Sequence, residues 1–254
     1  MADNKWKTAI TDATRENIRV RGYSVTAMME KLSFAEAVFL VLRGELPSKA
    51  EAVMMNAILV ATVDHGPTPP SVLAARTSMS GGNPLNAAIA AGVLAIGDTH
   101  GGAIEQAARI LQEWAQKGLE SIEAANQLVS WLEENKKRMP GFGHQLHERD
   151  PRTTKLFELA TTQGVKGNHV ELCLAVEKVL AERTGRALPI NINGAVAAVI
   201  SDMGFDWRLG KGLFVISRVP GLVAHAYEEM TREKPMRKLG PTPFEYDGPK
   251  ERDI

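Results

Sequence analysis

Apolar residues recur at helical spacing along nearly the whole chain, and no run alternates apolar with polar positions as a half-buried strand does. The pattern predicts an all-α fold. Ser33 to Arg43 carries a mixed apolar face and stops at Gly44, a residue that ends helices because it tolerates a left-handed backbone. Ser48 and Glu51 then have the spacing of a capping box, which predicts a helix reaching about Val63. From His65 to Pro70, three prolines in four residues remove donors and predict an irregular turn. Leu85 to Ile96 (LNAAIAAGVLAI) is apolar on all sides and short, which suits a helix buried in a globule or in a subunit interface. Further helices are expected at Ala103 to Lys117, Ser121 to Lys137, Arg152 to Thr162, Asn168 to Arg183, Gly194 to Asp202 and Trp207 to Ser217. A last one is expected to start after Pro220 and run to about Arg232.

Composition narrows the classes of function. The 254 residues, 44% hydrophobic, can bury one substantial core or a large domain with a smaller one. Lys plus Arg and Asp plus Glu are both 30, so no overall charge draws the chain to nucleic acid or an anionic membrane, and any anion site is local. No stretch has the length of a membrane span and the start has no apolar run, so a cytoplasmic protein is expected. Cys173, the only cysteine, lies in LCLAV and reads as a small buried hydrophobe.

Three junctions, GDTHGGA, MPGFGH and ALPINING, carry polar residues that a plain helix-to-helix turn does not need. His65, His100 and His144 all sit on Gly- or Pro-rich junctions, whereas His169 and His225 read as structural. His100-Gly101-Gly102 precedes a helix, whose positive end favours a neutral imidazole able to donate to a carbonyl oxygen as it gains negative charge. Gly141 and Gly143 let main chain approach a large ligand. Arg152 can hold a carboxylate by two parallel bonds, and Arg218, in the apolar helix end GLFVISRVPG, needs an anion or an internal salt bridge. No metal-ligand spacing and no phosphate loop is present at these junctions, so no metal is expected.

In order along the chain, RGYSVTAMMEKLSFAEAVFLVLRGELPSKAE, DHGPTPPSVLAARTSMSGG, GDTHGGAIEQA, MPGFGHQLHERDPR, LPINING and ISRVPGLVAHAYEE resemble the citrate synthase superfamily, most closely its short citryl-CoA lyase branch. The resemblance implies a helical homodimer, each subunit with a large domain (1–102 and 194–254, with the C-terminal tail) and a small one (103–193) that closes over the ligands. It implies a coenzyme A thioester as substrate or product, no permanently bound cofactor, and cleavage or formation of a carbon-carbon bond between acetyl-CoA and an oxoacid such as oxaloacetate. On matching positions, His100 would stabilise the thioester enolate, His144 would hold the keto or hydroxyl oxygen, and His65, Arg152 and Arg218 would bind the oxoacid. Pro140, Gly141, Phe142, Gly143 and Asn191 would belong to the coenzyme A cradle.

The chain departs from the family pattern at three points. Pro189-Ile190-Asn191-Ile192 leads to Asn193 where the family carries the aspartate that moves a proton at the acetyl methyl group, which an amide cannot do. The gap from His144 to Arg152 is one residue shorter. Lys234 stands where the family lends an arginine across the dimer, with Arg237 close by. Asn193 leaves three readings open: a citryl-CoA lyase, a decarboxylase or other enolate-forming enzyme on acyl-CoA, and a catalytically silent acyl-CoA binder.

Overall fold

The computed structural model describes residues 6–143, 150–237 and 247–253. Side chains decide where the first long helices begin. Ser33 and Ser48 each accept from the amide three residues on, at 3.3 and 3.2 Å, while Glu36 and Glu51 accept from the serine amides at 2.7 Å. These reciprocal caps start α2 (Phe34–Arg43) and α3 (Lys49–Ala61), and α2 stops at Gly44 with φ +88°, as the pattern predicts. They follow a short α1 (Val25–Lys31) that the periodicity did not reveal.

The chain forms two units. The first, Met1–His65 with Ile96–Gly221, contains the main core; the expected boundaries at 102 and 193 both fall inside it. Its centre is α10 (Ile192–Asp202), in which every residue except Asn193 and Asp202 is buried. Around α10 pack α6 (Ala103–Ala115), α8 (Pro151–Thr162) and α9 (Asn168–Thr184), with α7 (Ser121–Glu134) against α9. Asp202 fixes one of these neighbours: its carboxylate accepts from the amides of Gly167, His169 and Val170 at 2.8 to 3.0 Å and so caps α9 from outside that helix. Also in this unit, β1 (Thr11–Ala13), β2 (Ile18–Val20) and β3 (Tyr23–Ser24) make an antiparallel ribbon. The sequence reading held no strands; these are two or three residues long and mostly exposed, too short to show alternation.

The second unit, Gly66–Ala95 with Leu222–Ile254, holds α4 (Pro70–Ser80), likewise unforeseen, and α5 (Leu85–Leu94). A Cβ at Gly92 would stand 2.9 Å from the Ser71 carbonyl oxygen, so this glycine permits close packing of α5 on α4. Only Ala88 and Gly92 of α5 are fully buried and Leu94 is 84% exposed, so α5 is not buried on all sides within the chain.

The last helix does not start after Pro220: α11 runs unbroken from Gly210 to Arg232 with Pro220 inside it. A helix-interior proline costs about 3 kcal/mol, but anchors on either side hold the backbone. Leu213, Phe214, Leu222 and Ala226 are buried, and Ser217 and Arg218 bond to the end of α3 through Thr62. No helix among the described residues is long and apolar enough to cross a membrane.

Candidate active site

Six segments of the first unit meet around a cavity of about 300 Å³: the end of α3, the turns before α6, the loop at Gly143, and α8, α10 and α11. Among its lining residues are His65, His100, Gly143, Arg152, Asn191, Asn193 and Arg218, seven positions singled out from sequence. His144 lies outside the described residues.

The turn that presents His100 is held by a bond from the Gly97 amide to the His100 carbonyl at 2.9 Å. Gly101 follows at φ +87°, and a Cβ there would stand 2.6 Å from the Phe214 ring, so both conformation and space require glycine. His100 meets the same ring edge-on at a centroid distance of 6.0 Å. Burial pushes the imidazole pKa down, and the nearby Arg218 and His65 push it further, so the ring is kept neutral.

Arg218 is 3% exposed, donates from Nε to the Thr62 carbonyl at 3.1 Å and stacks 4.7 Å over Phe214. Burial lowers its pKa, with Asp64 acting the other way. Arg152 meets an internal carboxylate while lining the cavity. Its Nε and Nη2 donate to the two oxygens of Asp150 at 3.0 and 2.8 Å, and Nη1 donates to the Ala61 carbonyl at 3.3 Å. Burial pushes the Asp150 carboxyl up, but bonds from Arg152 and from the Ile192 amide outweigh it and hold the group below the usual carboxylate range.

The loop carrying Gly141 and Gly143 is locked to the start of α10. Asn191 Oδ1 accepts from the amides of Asn193 and Gly194 at 3.0 and 3.4 Å, while its Nδ2 donates to the Gly143 carbonyl at 2.9 Å. The Asn191 amide donates to Gly141 O at 3.0 Å and the Gly143 amide to Pro189 O at 2.7 Å. The Asn191 side chain thus works chiefly as a brace. The Asn193 side chain makes no hydrogen bond with the described residues and lines the cavity. Phe142 and Gly143 also line a second cavity of about 520 Å³, walled by apolar residues including Leu132, Leu180 and Leu188 and carrying Lys137, Arg138 and Arg186 against one carboxylate, Glu133; Pro140, next to Met139 of its lining in sequence, is half-buried.

Lys234 and Arg237 belong to the second unit, where Arg237 Nε donates to the buried Glu229 at 2.7 Å and Lys234 lines a pocket with Glu233. His169 bonds Asp202 through Nδ1 at 2.9 Å, a structural role, as expected. Sequence reasoning did not select Thr62, Thr99, Asp150 or Phe214, all of which line the first cavity. Only Asp150 left a signal, as the cap of an Asp-Pro-Arg helix start.

The sequence profile described as citrate synthase, C-terminal domain, matches residues 48–239. Citryl-CoA lyase from Hydrogenobacter thermophilus is 45% identical in sequence and superposes with a TM-score of 0.93, over 98% of this chain and 97% of that one. Citrate synthase from Thermoplasma acidophilum, solved as a ternary complex with carboxymethyl coenzyme A and oxaloacetate, is 25% identical with a TM-score of 0.70, over 88% of this chain and 59% of that one. Citrate synthase 2 of Bacillus subtilis is 27% identical over 234 residues; the match takes in 90% of this chain but 60% of the relative's length. With a profile spanning most of its length and an all-α fold shared with these structures, the chain belongs to the citrate synthase family.

Proposed function

We propose that the chain cleaves citryl-CoA, or a related 3-hydroxyacyl-CoA bearing a second carboxylate, into acetyl-CoA and an oxoacid such as oxaloacetate. The observation that carries this reading is one cavity joining an imidazole kept neutral to two guanidiniums. The likeness to a citryl-CoA lyase along both chain lengths supports it. Arg152 and Arg218 bind carboxylates of the oxoacid part, with His65 as a further ligand. By the family resemblance, His144 accepts the hydroxyl proton as the oxygen becomes a carbonyl. The carbon-carbon bond then breaks, its electron pair passes into the thioester as an enolate, and His100 donates a hydrogen bond to the enolate oxygen. A proton must finally reach the methylene carbon. Asn193 cannot supply it, so water does, and the amide serves to donate a hydrogen bond beside the enolate.

The apolar second cavity with its three cations suits the nucleotide part of coenzyme A, whose phosphates need positive charge and whose base needs apolar cover. The family resemblance implies a homodimer, to which Lys234 and Arg237 would lend positive charge. Asn193 also favours a second reading, decarboxylation of a malonyl-type thioester, which forms the same enolate without deprotonating a methyl group.

Feeding citryl-CoA and measuring free oxaloacetate tests the proposal. The chain is expected to release oxaloacetate slowly, and Asn193→Asp to raise the rate by about 100-fold, the lower range for restoring one general acid-base group. Carbon dioxide from malonyl-type thioesters, slowed by Asn193→Asp, would favour the second reading. If both forms stay folded and release neither product, the chain is a silent acyl-CoA binder and both readings fail.

A further inference from the structure

We infer that Asp150 is a positioning residue that sets which edge of Arg152 faces an oxoacid and ties that guanidinium to position 193. The inference rests on the oxoacid reading above. Asp150 is 1% exposed, and among the described residues each of its oxygens accepts from at least two donors. Oδ1 accepts from the amide and Nε of Arg152, both at 3.0 Å. Oδ2 accepts from Arg152 Nη2 at 2.8 Å and from the Ile192 amide, the first of α10, at 3.2 Å.

A guanidinium has five N–H donors in a fixed plane. Asp150 takes the Nε/Nη2 edge, and the Ala61 carbonyl takes one hydrogen of Nη1. Among the described residues nothing else takes a hydrogen of Nη1 or Nη2, so the edge that Asp150 leaves to a ligand carboxylate is the Nη1/Nη2 end and not the Nε side. Because the same carboxylate holds the Ile192 amide, the orientation of Arg152 and the placement of Asn193 are set together. Asp150 also offsets the repulsion between Arg152 and Arg218, two cations on one cavity.

The plainer alternative is that Asp150 only caps α8. Asp150→Asn separates the two, since asparagine is an equally good cap but has one acceptor oxygen and no charge. The Arg152 Nε–H resonance of the full-length protein, assigned by its loss in Arg152→Met, reports the side chain directly, and calorimetry with oxaloacetate reports the ligand. Asp150→Asn should leave the protein folded but lower its melting temperature, because buried donors lose an acceptor, and it should abolish the solvent protection of that resonance and weaken oxaloacetate at least about tenfold. In an Arg152→Met background the same change should weaken it no further. An unaltered resonance, or an equal loss of affinity in both backgrounds, overturns the inference. Failure of the unsubstituted chain to bind oxaloacetate overturns the oxoacid reading and this inference with it. That outcome differs from failure of the brace alone, in which the chain binds oxaloacetate and Asp150→Asn binds it equally well.

Discussion

Gly194→Ala tests how tightly the Gly141 loop is joined to α10. The added Cβ would stand 2.5 Å from the Gly141 carbonyl oxygen and 3.1 Å from Ile190 Cγ2. Ordinary contact begins at 3.4 Å, so the carbonyl must retreat by about 1 Å, and it is backbone, with no rotamer to yield. That oxygen also accepts from the Asn191 amide, so the retreat strains a bond worth about 1 kcal/mol. Overpacking of this kind costs about 1–3 kcal/mol, set against about 1 kcal/mol gained by replacing a helical glycine with alanine. The net expectation is about 2 kcal/mol of destabilisation, or a fall in melting temperature of about 4–8 °C for a chain of this size. Because a misplacement of 1 Å in a site can cost about 100-fold in rate, oxaloacetate release should fall by that order even where the protein stays folded. Gly212→Ala is the control: it is helical too, but its Cβ would meet nothing within 4 Å, so it should melt at or slightly above the unsubstituted temperature. If the two variants melt alike, the close approach of Gly141 and Gly194 does not constrain the fold and the reasoning is wrong.

Two other outcomes follow from the electrostatics. Asp202→Ala strips three amides of their acceptor at the start of α9 and should cost about 3 kcal/mol, read from the urea midpoint; a loss under about 1 kcal/mol would contradict the role. Burial pushes the Asp202 carboxyl up, but its bonds from His169, Gly167 and Val170 hold it below 3.8. Its stabilisation is therefore full above about pH 3.8 and lost as pH falls through the folded value. His100 has a folded pKa below 6.5, so between that value and 6.5 the unfolded chain binds more protons and stability rises with pH. The ring should titrate below 6.5 by proton NMR, and a midpoint at or above it would remove the case for a neutral donor.

Much of the fold could be read from local chemistry. Ser48 with Glu51 marked the start of α3, and Gly44 the end of α2, because caps are satisfied within a few residues and their partners are visible in sequence. Glycine and proline junctions pointed to His65, His100 and Arg152 because a plain turn has no need of such side chains, and one cavity does gather them. Features that depend on distant partners were not legible. Pro220 reads as a helix break until the anchors from Thr62 to Ser217 and Arg218 are seen. Phe214 reads as one more core residue, although it meets His100 in a T-shaped contact and carries Arg218 on its face. Pro70 reads as turn, yet it occupies the first position of α4, where its missing N–H is harmless.

Gly143 borders both cavities, and its peptide groups are clamped by Pro189 on one side and Asn191 on the other. A thioester lying as proposed would cross this threshold with its reacting end on one side and its carrier on the other. Acyl preference and carrier preference would then be separable traits: redesign of the smaller chamber could admit new acids without weakening the grip on the handle they share.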